Sequence, residues 1–258
     1  MKKLAILFLA NSFADDTIQY MNEIARDFDY ELDLYNLYIG GCDIEKHINN
    51  IVNHLKVYEL RVYNREKCEW ETIYDIASND FIPSKKWDYI VLQQSSYYSG
   101  LPNGFKDINK LVELVRKLAN KDVKFVWNLT WAYPKYSDLE VFTDYFKSNQ
   151  DKMYEAILDN FRKEILHNKN FSLVIPNGIS LQIARKRVGD EMLHRDGFHL
   201  SYQPGRYLAG LTACAVLLNV DISKTKFYPQ PITKEIKDVF VECVQDALKV
   251  FKTKKCFV

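Results

Sequence analysis

The sequence predicts an α/β fold in which a parallel sheet is covered by helices on both faces. Three observations carry that prediction. Leu4–Ala10 is an unbroken apolar run with the length and bounding of a strand buried on both faces. Four later strand-like segments alternate with helix-like patterns, the arrangement of right-handed βαβ crossovers. At the carboxyl end of each strand stands an oddly polar or glycine-bearing stretch. In a parallel sheet those ends share one edge, where open α/β sheets bind ligands.

Taken in order, the first strand stops at Asn11-Ser12, and Ile18, Met21, Ile24 and Ala25 repeat at helical spacing after it. Tyr30–Ile39 alternates as a second strand and ends at Gly40-Gly41-Cys42. Ile44–Val57 reads as a helix with Ile48, Ile51, Val52 and Leu55 on one face. Tyr58–Ile73 alternates around Asn64-Arg-Glu-Lys67, which predicts a small β-hairpin outside the main sheet. Trp87–Leu92 is the third buried strand, ending at Gln93-Gln94-Ser95-Ser96. A Gly/Pro/Asn loop leads to a helix over Lys106–Ala119. Val123–Trp127 is the fourth strand, ending at Asn128-Leu-Thr130-Trp131, and a helix is expected over Gln150–His167. Phe171–Ile175 is the fifth strand, followed by Pro176-Asn177-Gly178 and a helix over Ile179–Arg187. A short loop then carries His194, Asp196 and His199. Arg206–Leu218 is a strongly apolar helix and Glu235–Phe251 an amphipathic one. No repeat, linker or low-complexity tract interrupts the pattern, so residues 1–258 read as one domain.

Bulk properties exclude several functions. With 35 Lys+Arg against 34 Asp+Glu, the formal charge of +1 favours neither nucleic acid nor an anionic membrane as partner. No apolar run approaches the roughly 18 residues of a membrane span. Lys2-Lys3 and the apolar run imitate a secretory signal, but its core is at the minimum length and cleavage would delete the first strand together with Ser12. Cys42, Cys68, Cys214, Cys243 and Cys256 form an odd set without CxxC spacing, read as free thiols in a reducing, cytoplasmic setting.

Ser12 opens a helix at the end of the first strand, where backbone N–H groups favour developing negative charge. Helix capping is the simpler role for that residue alone. A serine hydroxyl becomes a strong nucleophile only when a base takes its proton and a third group holds that base's tautomer. Asp196-Gly-Phe-His199 offers both: the carboxylate at Nδ1, with Nε2 left to face Ser12. Candidate oxyanion donors are the N–H groups of Ser12, Gly40 and Gly41 and a side-chain amide from Gln93 or Gln94.

These residues bring a family into view. Asn11-Ser12-Phe13, Leu37–Cys42, Leu92-Gln93-Gln94, Thr130–Tyr133 and Arg195–His199 resemble, in order, motifs of the SGNH/GDSL hydrolase superfamily and of a subfamily of SGNH-like proteins within it. The resemblance spans Leu4 to about Leu218. It implies a flavodoxin-like three-layer α/β/α fold, a five-stranded parallel sheet of order 2-1-3-4-5, and serine esterase chemistry that needs neither cofactor nor metal. By that likeness Ser12 is the nucleophile, His199 the base and Asp196 its orienting acid, with Gly41 or Gly40 as oxyanion donor. Two positions depart from the pattern. Ala10 stands where glycine is usual, and the usual oxyanion asparagine is absent, a role expected to fall to Gln94 rather than Gln93.

Asn11, Asn128, Thr130 and Trp131 are further candidates for substrate contact, with Trp131 and Tyr133 either stacking on a sugar ring or packing in the core. His47, His54 and His167 are expected on solvent-facing helix positions. Asp15 and Asp16 suit the first turn of a helix. Arg185 and Arg195 either bind a carboxylate or fix a loop. The expected activity is hydrolysis of a small acyl ester, acetyl on a carbohydrate above all. The rivals are a catalytically idle glycan-binding module and a flavodoxin-like mononucleotide binder, the latter opposed by the lack of glycines after the first strand.

Overall fold

The computed structural model describes residues 1–253. Strands β1 (Lys2–Ala10), β2 (Tyr30–Tyr38), β3 (Lys56–Asn64), β4 (Glu69–Ala77), β5 (Tyr89–Leu92), β6 (Lys124–Asn128) and β7 (Phe171–Ile175) form one sheet. Its order is β4-β3-β2-β1-β5-β6-β7. β1 is central and pairs in parallel with both β2 and β5, which is why Ile6–Ala10 show no exposure on either face. β6 and β7 continue the parallel part.

The sheet therefore has seven strands, not five, and is mixed. The expected detached hairpin is corrected: β3 runs antiparallel to β2, pairing Val62–Glu59 with Tyr35–Tyr38. An uncovered β2 would leave a row of unpaired backbone groups at the sheet edge, and the hairpin covers it while burying Tyr58 and Leu60.

Helices α1 (Ser12–Ile18), α2 (Met21–Arg26), α3 (Ile44–Val52), α4 (Ile108–Leu118), α5 (Gln150–Glu164), α6 (Asn177–Val188), α7 (Pro204–Leu217) and α8 (Lys234–Thr253) flank the sheet. α7 lies at the centre of one group, packed on α1, α2, α6 and α8, while α3 packs on α4. The helix expected to reach Val57 stops at Val52. His54 takes φ +50° and Leu55 N–H bonds Asn50 O, turning the chain into β3. The buried face of α3 is Ile44, His47, Ile48 and Ile51, leaving Val52 exposed. His47 is thus not a surface residue. Its Nδ1 lies 2.9 Å from Tyr58 Oη, and burial holds its pKa down to about 3.

Among the described residues Cys42, Cys68, Cys214 and Cys243 are unpaired, and no helix is long and apolar enough to cross a membrane. Cys256 lies outside the described residues.

Candidate active site

Ser12 begins α1 directly beyond β1, with Asn11 as N-cap accepting from Phe13 N–H at 3.1 Å. Asn11 also fixes two neighbouring loops. Its Nδ2 donates to Cys42 O at 2.9 Å and its Oδ1 accepts from Gln93 Nε2 at 2.8 Å. The segment Gly40–Cys42 after β2 is therefore tied beside Ser12. Gly41 there takes φ +62°, a conformation that strains other residues. The N–H groups of Ser12, Gly40 and Gly41 donate to no acceptor among the described residues.

The chain between Asp190 and Ser201 forms a closed turn, with His194 bridged to Leu200 and Arg195 N–H bonded to His199 O at 3.2 Å. Within it Asp196 Oδ1 accepts from the N–H groups of Phe198 (2.9 Å) and His199 (2.7 Å), and its Oδ2 receives His199 Nδ1 at 2.9 Å. The same carboxylate that shapes the turn orients the imidazole. Partial burial raises the Asp196 pKa, but the N–H donors of His199 and Phe198 and the imidazole outweigh it, so the group lies below the usual carboxylate range. His199 Nε2 lies 2.9 Å from Ser12 Oγ, a contact across 187 positions of chain. With the Nδ1 proton directed at Asp196, the Nε2 lone pair faces the hydroxyl. A hydroxyl, an imidazole and a carboxylate are joined in series, beside open backbone donors.

Residues 5–247 match the family profile described as Domain of unknown function (DUF4886). The chain belongs to the DUF4886 family. A crystal structure of a DUF4886 family protein from Bacteroides uniformis ATCC 8492 is 29% identical, with a TM-score of 0.90 over 96% of this chain and 95% of that one. Two more distant structures share the fold. An SGNH-hydrolase candidate from Slackia heliotrinireducens is 18% identical (TM-score 0.51, 84% of this chain, 100% of that one). A member of the lipolytic protein G-D-S-L family from Veillonella parvula DSM 2008 is 15% identical (TM-score 0.52, with 84% and 100% covered). No curated protein matches the sequence.

In this DUF4886 chain several predicted site residues serve the scaffold instead. Asn11 is committed as described above. Gln93 Oε1 accepts from Asn128 Nδ2 at 2.8 Å, and Asn128 Oδ1 from Asn177 Nδ2 at 2.9 Å. Asn11, Gln93, Asn128 and Asn177 thus form a buried ladder of amides across the ends of β1, β5, β6 and β7. Gln94, the side chain expected in the missing oxyanion role, is anchored between two loops. Its Oε1 accepts from the N–H groups of Ile44 and Ser95, and its Nε2 donates to Gly104 O. Thr130 is buried against Ser99 Oγ at 3.1 Å.

Trp131 is not a sugar platform. It is fully buried, stacked on Phe13 at 4.1 Å, and donates from Nε1 to Phe198 O at 3.0 Å. It supports the His199 turn from below. Tyr133 is buried too, its hydroxyl bonded to Ser96 Oγ at 2.9 Å.

Sequence reasoning missed Asp16. Its buried carboxylate accepts from Arg195 Nη1 (2.9 Å), Arg206 Nε (2.8 Å) and Leu200 N–H (2.8 Å), clamping the His199 turn to α1. A buried acid one helical turn after Ser12, with two arginines flanking His199 in sequence, was the available signal. Arg185 likewise fixes loops: it pairs with Asp190 at 2.8 Å, and also bonds Gln182 and Ala132 O. His194 sits against that pair, and burial with the Arg185 charge holds its pKa down to about 3.

Proposed function

We propose that this DUF4886 protein is a serine esterase cleaving small acyl esters. The observation that carries the reading is the 2.9 Å approach of His199 Nε2 to Ser12 Oγ, with Asp196 at 2.9 Å on the far side of the ring. Ser12 Oγ attacks the ester carbonyl while His199 Nε2 takes its proton, and Asp196 stabilises the imidazolium. The carbonyl oxygen, now anionic, is received by the N–H groups of Ser12 and of Gly41 or Gly40. His199 returns the proton to the departing alcohol, and water then releases the acyl group by the same route. Trp131 and Phe198 stack on Phe13, the residue after Ser12, and we read the adjoining space as fitting a small acyl group, acetyl above all. The alcohol half is read as a carbohydrate, and the unpaired cysteines support a cytoplasmic setting.

A second reading, a glycan-binding module without turnover, is favoured by one observation. Gln93 and Gln94 each donate an amide N–H inside the protein, to Asn11 Oδ1 and Gly104 O, which leaves at most one N–H of each for an oxyanion. Turnover of p-nitrophenyl acetate separates the two. The esterase reading expects release of p-nitrophenol by the wild type and its loss in Ser12→Ala with an unchanged circular dichroism spectrum. Equal rates in both proteins would refute it.

A further inference from the structure

We propose that Cys68 is a modification site that forms a mixed disulfide with a small zwitterionic thiol, whose body sits in the cavity between α2 and the β3–β4 turn. The inference is independent of the esterase reading of Ser12. Three observations carry it.

The first is the setting of the sulfur. Cys68 closes the turn between β3 and β4 and is exposed, whereas Cys42, Cys214 and Cys243 are buried. Its Sγ donates to Arg65 O at 3.6 Å and accepts from Arg26 Nη2 of α2 at 3.7 Å. Among the described residues Arg26 has no carboxylate within ion-pair reach, so the sulfur is what its guanidinium touches. A cation in that place stabilises the negative charge that sulfur carries as it attacks a disulfide.

The second is a cavity of about 480 Å³ beside that sulfur. Asn22 and Arg26 of α2, Tyr30 and Glu31 of β2, and Arg65 and Glu66 of the turn line it. Arg26 and Arg65 therefore belong both to its wall and to the contacts of Cys68. The volume falls in the range of small-molecule sites. β1 and β2 begin here, with Lys2 paired to Tyr30, so the cavity lies at the opposite end of the sheet from Ser12.

The third is the set of polar groups that the chain leaves unspent around the cavity. Asn22 is 4% exposed, yet its Nδ2 has no acceptor among the described residues. A buried amide donor left unpaired is costly, and a ligand carboxylate reaching Asn22 and Arg26 would satisfy it. Arg65 is paired with Glu31, whereas Glu66 has no ion pair among the described residues and suits an ammonium group. One acceptor-seeking side and one anionic side match an amino-acid or short peptide thiol. A thiol of a single charge sign meets repulsion on one of them.

In the exchange the Cys68 thiol gives its proton to water and its sulfur attacks one sulfur of a symmetrical disulfide. The old S–S bond breaks as the bond to Cys68 forms, and the second thiolate leaves and takes up a proton. The disulfide is the oxidant, so Cys68 is oxidised and the departing half reduced.

The test incubates the full chain with oxidised glutathione, with cystamine, which has ammonium groups only, or with dithiodiglycolate, which has carboxylates only. Peptide mass spectrometry follows the adduct at Cys68, and each rate is divided by that of the same chain unfolded in urea. The normalised rate for glutathione is expected to exceed both others by about fivefold or more. Asn22→Leu should remove most of that preference over cystamine, and Glu66→Gln most of the preference over dithiodiglycolate. Arg26→Gln, at an exposed position, should slow all three. No adduct at Cys68, equal normalised rates for the three disulfides, or a preference that Asn22→Leu and Glu66→Gln leave unaltered would overturn the proposal.

Discussion

At Asp196, one carboxylate oxygen closes the turn through two N–H groups while the other receives His199 Nδ1. The two tasks separate on substitution. Asp196→Asn keeps an acceptor for the turn but can present an amide to Nδ1, favouring the tautomer that points a proton at Ser12. We expect kcat to fall by about 10²–10⁴ with the fold retained, read by p-nitrophenyl acetate kinetics beside a thermal melt. A kcat within threefold of wild type would mean that the carboxylate shapes the loop and nothing more. This part of the site was legible because a three-residue spacing is local chemistry. The orientation of an amide is not local. Whether Gln93 or Gln94 faces Ser12 depends on Asn11, Asn128 and Gly104, which fix the orientation of the two amides. The same holds for Trp131, whose partner Phe13 lies far away in sequence.

Among the elements, α1 and the His199 turn are joined by Asp16, which receives Arg195, Arg206 and Leu200 N–H. Arg195 and Arg206 keep 20% and 16% of their side-chain surface, so water can partly replace the lost acid. Asp16→Ala is expected to cost about 2–4 kcal/mol, somewhat below or at the cost of breaking a fully buried pair. Urea unfolding gives the stability, and kcat should fall at the same time as the turn loosens. Loss of less than 0.5 kcal/mol would show the clamp to be idle. The elements themselves were mostly legible, since β1, β5, β6 and β7 are short apolar runs ended by polar residues. The hairpin's place was not. Alternation along β3 and β4 gives two strands but does not say which edge they join, and the edge is set by the unpaired side of β2. The face of α3 was misread by one position because residues after Val52 were counted into the helix, which moved His47 to the outside.

For the whole molecule, buried histidines couple stability to pH. His47 and His194 have pKa values near about 3 in the folded chain, lowered by burial. An unfolded histidine takes up its proton near about 6.5. Between those values the unfolded state binds more protons, so stability falls as pH falls, by about 1.4 kcal/mol per pH unit for each ring. Asp196 acts in a lower window. Its depressed pKa adds stability above the unfolded carboxylate value, and that stability is lost as pH drops through the folded value. Urea unfolding at pH 5.5 and 4.5 should therefore show a slope smaller by about 1.4 kcal/mol per pH unit in His47→Gln than in the wild type. Equal slopes would mean that His47 is protonated in the folded protein. The parallel core, β1 flanked by β2 and β5, brings the start of the chain and residue 199 to one edge, and on that juxtaposition the esterase account stands.

A fluorophosphonate probe tests it most directly. Mass spectrometry of the labelled protein should show one adduct on the peptide containing Ser12, absent in Ser12→Ala and formed much more slowly in His199→Ala. An unlabelled protein, or an adduct on another serine, would contradict the account.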